Sequence, residues 1–140
     1  MGHVWAINAN ATYIQVAKFV GTNSLGRDGN RIPYTPKITS NLGVSYEKNG
    51  FNTLVSLNYV FTQYADSANI VVPNAIGTLG EVPAFTTVNW SANYAINKDR
   101  KVFGVINNVF DKRYVSSRSP DGVFAGAPLN FQAGISYQFN

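Results

Sequence analysis

Hydrophobic and polar residues alternate with a period of two along most of the chain, and the alternation recurs six times between stretches rich in turn formers. The first run sets Trp5, Ile7, Ala9, Ala11, Tyr13 and Ala17 against Asn8, Asn10 and Thr12. The second opposes Ile38, Leu42, Val44 and Tyr46 to Lys37, Thr39, Asn41, Ser45 and Glu47. The third opposes Phe51, Val55, Leu57, Tyr59 and Phe61 to Asn52, Ser56, Asn58 and Thr62, and the fourth Val88, Trp90, Ala92, Tyr94 and Ile96 to Asn89, Ser91 and Asn93. The last sets Phe131, Ala133, Ile135, Tyr137 and Phe139 against Asn130, Gln132, Ser136 and Gln138. These runs predict consecutive antiparallel strands over 4–20, 37–48, 51–65, 84–97, 100–115 and 129–139, with no helix longer than two turns. Each strand has one apolar face and one face of small uncharged polar groups, the pattern that lipid outside and a wet lumen inside require.

The fifth run is less regular. A two-residue turn at Lys98-Asp99 pairs Tyr94 with Phe103 and puts Val105, Asn107 and Val109 on the apolar face, where Asn107 does not belong. A bulge or register shift near Asn107 and Asn108 is therefore expected.

Connection lengths orient the sheet. Asn49-Gly50 is the strongest short hairpin signal, and Lys98-Asp99 is also short. The connections at about 21–36, 66–83 and 116–128 are long and rich in Gly, Pro, Ser and Asn. Membrane barrels of bacteria have short periplasmic turns and long external loops, so the first, third and fifth strands run outward and the carboxy terminus is periplasmic. Aromatic belts should then mark both interfaces. Tyr46, Phe51, Tyr94, Phe103, Tyr137 and Phe139 fall near one end of their strands; Tyr59, Phe61, Phe85, Phe110, Tyr114 and Phe131 fall near the other. A soluble β-sandwich places its aromatics in mid-strand, within a core, so their position at strand ends favours lipid.

Composition narrows the function. Charged residues are only 13% of the 140 and aromatic residues reach 14%, so the surface is not the charged coat of a water-soluble domain. No apolar run approaches the length of a membrane-spanning helix, which leaves strands as the way across. The formal charge of +4 is scattered along the chain, which argues against nucleic acid. No leader precedes the first strand pattern. Cysteine is absent, and His3 is the one histidine. Asp28, Glu47, Asp66, Glu81, Asp99, Asp111 and Asp121 form no pair on one strand face suited to acid and base work. Catalytic residues, metal sites and cofactors are therefore not expected. Gly21, Gly26 and Gly29 are read as flexible turns, because no Gly-Lys-Ser/Thr follows them. The candidate ligand-binding residues are the external-loop cations Arg27, Arg31 and Arg118, whose guanidinium groups suit an anionic ligand or the phosphates of lipopolysaccharide.

Several motifs resemble those of a known family. Gln132-Ala133-Gly134-Ile135-Ser136-Tyr137-Gln138-Phe139 resembles the terminal signal that hands outer-membrane proteins to the barrel-assembly machinery, and this marks Gln132, Gly134, Tyr137 and Phe139. Asn107-Asn108-Val109-Phe110-Asp111-Lys112-Arg113-Tyr114 resembles the penultimate-strand motif of TonB-dependent receptors. Gly29 to Lys37, and Gly126-Ala127-Pro128, resemble further segments of those receptors; Leu129 departs from the arginine common after that proline, and Asn140 follows the usual terminal aromatic.

The resemblance implies an all-β, antiparallel transmembrane barrel of about 22 strands, of which residues 1–140 supply the six C-terminal ones, without plug domain or TonB box. It is nearest in wording to receptors for ferric citrate and related ferric siderophores. It implies the outer membrane of a Gram-negative bacterium, with lipid, lipopolysaccharide, the assembly machinery, the remainder of the receptor and, through it, TonB as partners, and a ferric chelate as ligand. The alternative is a free-standing or engineered membrane β-protein that must oligomerise to close, because six strands are fewer than the roughly eight of the smallest barrels.

Overall fold

A computed structural model describes residues 2–21 and 23–139. Six strands form one sheet in the order β1 (Val4–Tyr13), β2 (Ile38–Lys48), β3 (Phe51–Val60), β6 (Phe85–Ala95), β7 (Arg100–Asn107) and β10 (Asn130–Tyr137). Two small ribbons lie in the connections, β4 (Gln63–Tyr64) with β5 (Glu81–Val82) and β8 (Val115–Ser117) with β9 (Phe124–Ala125). Every neighbouring pair in the large sheet is antiparallel. No α-helix occurs among the described residues, where a 3-10 turn at Asn23–Leu25 is the one helical element. Strands of 10 or 11 residues, as in β1, β2, β3 and β6, are about 35 Å long and reach across about 25 Å when tilted near 45°.

The ladder fixes the faces, because residues directly opposite one another point the same way. The rows Ile7↔Val44, Val44↔Val55, Val55↔Trp90 and Trp90↔Ile106 run across one face, and Ile106↔Phe131 completes them. Asn10↔Asn41, Asn41↔Asn58 and Asn58↔Thr87 run across the other. Asn41 Nδ2 donates to Asn10 Oδ1 at 3.0 Å, and Asn107 Nδ2 donates to Asn130 Oδ1 at 3.0 Å, so amides on the polar face bond across their rungs. On the apolar face Thr53 is polar but satisfied: its hydroxyl donates to the Ser91 carbonyl at 2.9 Å and accepts from Trp90 Nε1 at 2.8 Å. Trp5 packs on Tyr46 with ring centroids 4.7 Å apart, near the short-turn end.

Asn49 and Gly50 have φ of 48° and 81°, both in the left-handed region that a two-residue hairpin turn of this hand needs. The other short turn differs from expectation. Ile96 N–H donates to the Arg100 carbonyl at 2.9 Å and Asp99 N–H donates to Asn97 Oδ1 at 3.0 Å, so residues 97–99 form a three-residue loop capped by an asparagine side chain. Tyr94 pairs with Val102, not Phe103, and the one-residue slip turns the whole of β7 over. Val102, Gly104 and Ile106 face outward; Phe103, Val105 and Asn107 face the polar side. Asn107 thus stands on the polar face without any bulge to put it there.

The irregularity expected near Asn107 and Asn108 is nevertheless present: Asn108 has φ 52°, its amide donates to Asn89 Oδ1 at 2.9 Å, and Val109 N–H steps on to the Val88 carbonyl at 2.8 Å.

The aromatic belts need the same correction. Phe103, opposite Asn93 and Gly134, and Phe85, opposite Val60, lie on the polar face by register. Phe103 has room there because Gly134 has no side chain: a Cβ at Gly134 would lie 2.6 Å from the Phe103 ring. Phe85 stacks on Tyr114 at 4.1 Å.

Strand ends are also shorter than expected. β1 stops at Tyr13 rather than 20, with the chain continuing as a loose ribbon through Ile14 N–H to the Lys37 carbonyl and a bridge between Lys18 and Arg31. β3 stops at Val60 and resumes after two residues as β4.

Candidate functional site

All three long connections emerge from one end of the sheet, as the antiparallel order requires, and they pack on one another. Within the chain, the described buried apolar residues are Ala65 and Val82, both in the connection between β3 and β6; the packed core is in the loops and not in the sheet. Gly77 and Gly122 bring the second and third connections together: a Cβ at Gly77 would lie 2.8 Å from Val123 Cγ2, and one at Gly122 would lie 3.0 Å from the Ile76 carbonyl.

Side chains tie the cluster. Asn69, at φ 56°, accepts the Arg31 amide at 2.6 Å through Oδ1 and donates to the Arg31 carbonyl at 2.9 Å through Nδ2, copying the pairing of a strand neighbour. Asn30 Nδ2 donates to the Ser67 carbonyl at 3.0 Å. Asp66 Oδ1 accepts the Ala68 amide at 2.8 Å, which closes the turn carrying Asn69. The Tyr34 hydroxyl accepts the Arg118 amide at 3.2 Å, a contact 84 residues apart in sequence.

The three candidate cations separate into different roles. Arg27 is exposed on the first connection. Arg31 is half-buried; its backbone is held by Asn69, and its guanidinium donates to the Thr35 carbonyl at 3.5 Å. Arg118 is only 7% exposed, and it donates from Nε to the Glu81 carbonyl at 3.0 Å and from a terminal nitrogen to the Gly77 carbonyl at 3.3 Å. Expected on an open rim, it instead holds the second connection to the third. Its fork of donors suits two carbonyls that a burying loop cannot leave unmet.

The segment Asn107 to Tyr114 folds as a unit around Asn108, which is 3% exposed. Asn108 Oδ1 accepts the Lys112 amide at 2.9 Å, and Nδ2 donates to the Lys112 and Ala127 carbonyls, each at 3.0 Å. Asp111 Oδ1 accepts the Leu129 amide at 3.0 Å, guiding the chain into β10. Gly126 donates its amide to the Tyr114 carbonyl at 2.8 Å, with the Tyr114 ring lying where a Cβ would stand. The motif residues thus bond to one another and to the loop that leads into the last strand.

Of the suggested assembly-signal residues, Gln132 and Gly134 face the polar side and Tyr137 the apolar side by register. Tyr137 takes Arg100 over its ring at 5.4 Å and Phe139 edge-on at 4.6 Å.

A family model described as TonB dependent receptor-like, beta-barrel matches residues 2–109. The chain belongs to this family. Among solved structures, the ferric citrate transporter FecA in its unliganded form is similar at 28% identity and TM-score 0.72, over 79% of this chain and 18% of that one. The siderophore receptor PiuA from Acinetobacter baumannii is similar at 22% identity and TM-score 0.74, over 95% and 19%. The copper transporter OprC is similar at 18% identity and TM-score 0.73, over 96% and 20%. The chain therefore spans about a fifth of the receptors it matches, and the six-strand sheet is a sector of a barrel of this family.

The sequence marks Arg118, the Asn107–Tyr114 motif and, within Gly29 to Lys37, Tyr34, but it gives Tyr34 no partner and does not mark Asn69. Their partners lie 84 and 38 residues away, and no local pattern signals such pairs.

Proposed function

We propose that the chain is the C-terminal six-strand sector of an outer-membrane active-transport receptor for a ferric chelate, ferric citrate or another ferric siderophore. The observation that carries this reading is the amphipathic sheet with its long loops gathered at one end, in a chain of the receptor family. The lipid face, the polar face and the loop cluster correspond to the membrane, the lumen and the external mouth. Both edges, β1 and β10, lack a neighbour among the described strands, so barrel closure needs strands from the remainder of the receptor. In that assembly a plug and TonB supply gating and energy, the assembly machinery reads the last strand, and the carboxy terminus is periplasmic.

The choice of a ferric chelate rests on FecA, the 28%-identical neighbour, while OprC shows that the same fold serves a copper transporter. Exposed Arg27 and half-buried Arg31 remain the loop cations offered to an anionic chelate, while Arg118 ties two loops together.

Two measurements test the proposal. The polypeptide isolated from outer membranes should have a mass several times the 15.3 kDa of this chain, and a value near that mass would favour the self-assembling alternative. Disruption of its gene should abolish energy-dependent uptake of radiolabelled ferric citrate or of another ferric siderophore; uptake of all of them at the parental rate overturns the ferric reading.

A further inference from the structure

Two pairings of the large sheet, β2 with β3 and β6 with β7, are closed by short turns that set their register. The other three, β1 with β2, β3 with β6 and β7 with β10, are joined by connections that run from Tyr13 to Ile38, Val60 to Phe85 and Asn107 to Asn130. A long connection does not choose a register, because the cost of closing it hardly changes with a residue or two. A slip of two residues also keeps every side chain on its own face, so the alternation of polar and apolar residues does not oppose it.

Side-chain hydrogen bonds between strands mark these three pairings. Asn41 donates to Asn10, Trp90 donates to Thr53, whose own hydroxyl donates to the Ser91 carbonyl, and Asn107 donates to Asn130. Among the described residues the ladders of the two short-turn pairings carry none; Asn89 accepts the Asn108 amide only past the end of β7. The pairing of β7 with β10 has a second mark. Phe103 stands opposite Gly134, and a Cβ at Gly134 would lie 2.6 and 2.8 Å from two atoms of its ring. The ring thus occupies space over the last strand that any other residue would fill. Slipped by two residues either way, Phe103 would face Gln132 or Ser136, each of which carries a Cβ. One register alone seats the ring on a glycine.

We propose that Phe103 and Gly134 form the register lock by which the last strand docks on its neighbour, with the Asn107–Asn130 bond securing the loop end of the same pairing. Gly134 is then a positioning residue that acts through the Phe103 ring, and not a letter of the terminal motif that a partner must read. The inference rests on the outer-membrane reading above and gives one residue of that motif a role inside the sheet.

A double-mutant cycle in the whole receptor tests the lock, with outer-membrane abundance as the first readout. Gly134→Ala should lower abundance about tenfold, the factor that one overpacked methyl imposes on docking of the strand. Phe103→Ala alone, which removes the ring without a clash, should lower it about twofold. In the double variant the methyl meets no ring, so abundance should return to the level of Phe103→Ala. Register is the second readout, through disulfide formation between paired cysteines on the apolar face. Val102→Cys with Ile135→Cys, directly opposite, should cross-link in the unaltered background, and Val102→Cys with Ala133→Cys, two residues out of register, should not. In whatever Gly134→Ala receptor accumulates, the first cross-link should weaken. An equal loss from Gly134→Ala with and without the ring overturns the lock, even if neither variant inserts, because it shows the glycine acting without Phe103. So does undiminished abundance of Gly134→Ala, or a cross-link of 102 to 133 in place of 135 in the unaltered background. Heat-dependent gel mobility of the unaltered receptor in outer-membrane fractions checks the parent proposal separately. Its absence there sinks both, whereas normal mobility with an equal loss in the two backgrounds sinks only the lock.

Discussion

The sheet and the loop cluster keep their shape by different means. In the sheet, backbone ladders set the geometry while the apolar side chains stay uncovered: Ile135 is 74% exposed in the isolated chain, and Trp90 and Leu57 are also open. In the loops the backbone is irregular and side chains bind it, with Asn69 on Arg31, Asn108 on Lys112 and Ala127, and Arg118 on Glu81 and Gly77. The contrast follows from the medium each meets. A strand in lipid must satisfy its peptide groups through its neighbours and can leave its apolar face to acyl chains. A loop at a wet mouth lacks a ladder, so each buried carbonyl needs a donor of its own.

Breaking the sheet's match to its medium should have the largest effect. Lysine in place of Leu57, Trp90 or Ile135 should cost about 2–4 kcal/mol where the position falls near the bilayer midplane, whereas lysine at Asn58, Asn89 or Ser136 should cost far less. Urea unfolding of the receptor in lipid vesicles measures the difference, and equal costs on the two faces would remove the distinction between them.

Breaking the loops should cost somewhat less and stay local. Asn108→Ala strands the Lys112 amide and two carbonyls, and Arg118→Met strands the Glu81 and Gly77 carbonyls; each should destabilise its loop by about 1–3 kcal/mol. Hydrogen exchange in the receptor should quicken at 108–112 in the first variant and at 76–82 in the second. Little change should reach the ladder between β2 and β3, and exchange spread through that ladder would show that loops and sheet are one cooperative unit.

A stability effect no larger than that of the loop variants comes with a larger one on biogenesis. Phe139 lies past the last ladder pair, and its truncation removes about 1–3 kcal/mol of apolar burial, too little to unfold a barrel of many paired strands. An unrecognised last strand leaves an edge that aggregates before insertion. Phe139→Ala should therefore lower outer-membrane abundance of the receptor much more than its melting temperature, and the reverse pattern would assign the residue a purely structural part.

The same contrast decides how much of the molecule could be read from sequence. Period-two alternation is local, so six strands, their order and the faces of five of them were legible, and Asn49-Gly50 announced its own turn. The face of β7 was not, because it hangs on whether the loop before it holds two residues or three. That was decided by the Asn97 side chain accepting the Asp99 amide. In the loops, Arg27, Arg31 and Arg118 could be named as cations, but only the fold shows that Arg118 is buried among carbonyls from a segment about 40 residues earlier. The motif around Asn108 was recognised by its wording, and the structure supplies its reason: one asparagine holds both ends of a tight loop.

The central claim is that the two faces of the sheet meet different media. Spin labels at Leu57 and Asn58, adjacent in β3 and opposite in facing, test it most directly in the whole receptor reconstituted into lipid vesicles. The label at 57 should relax with oxygen dissolved in the bilayer and ignore a water-soluble nickel chelate, and the label at 58 should not share that response to oxygen. A label at 57 that responds to the chelate and not to oxygen would contradict the account.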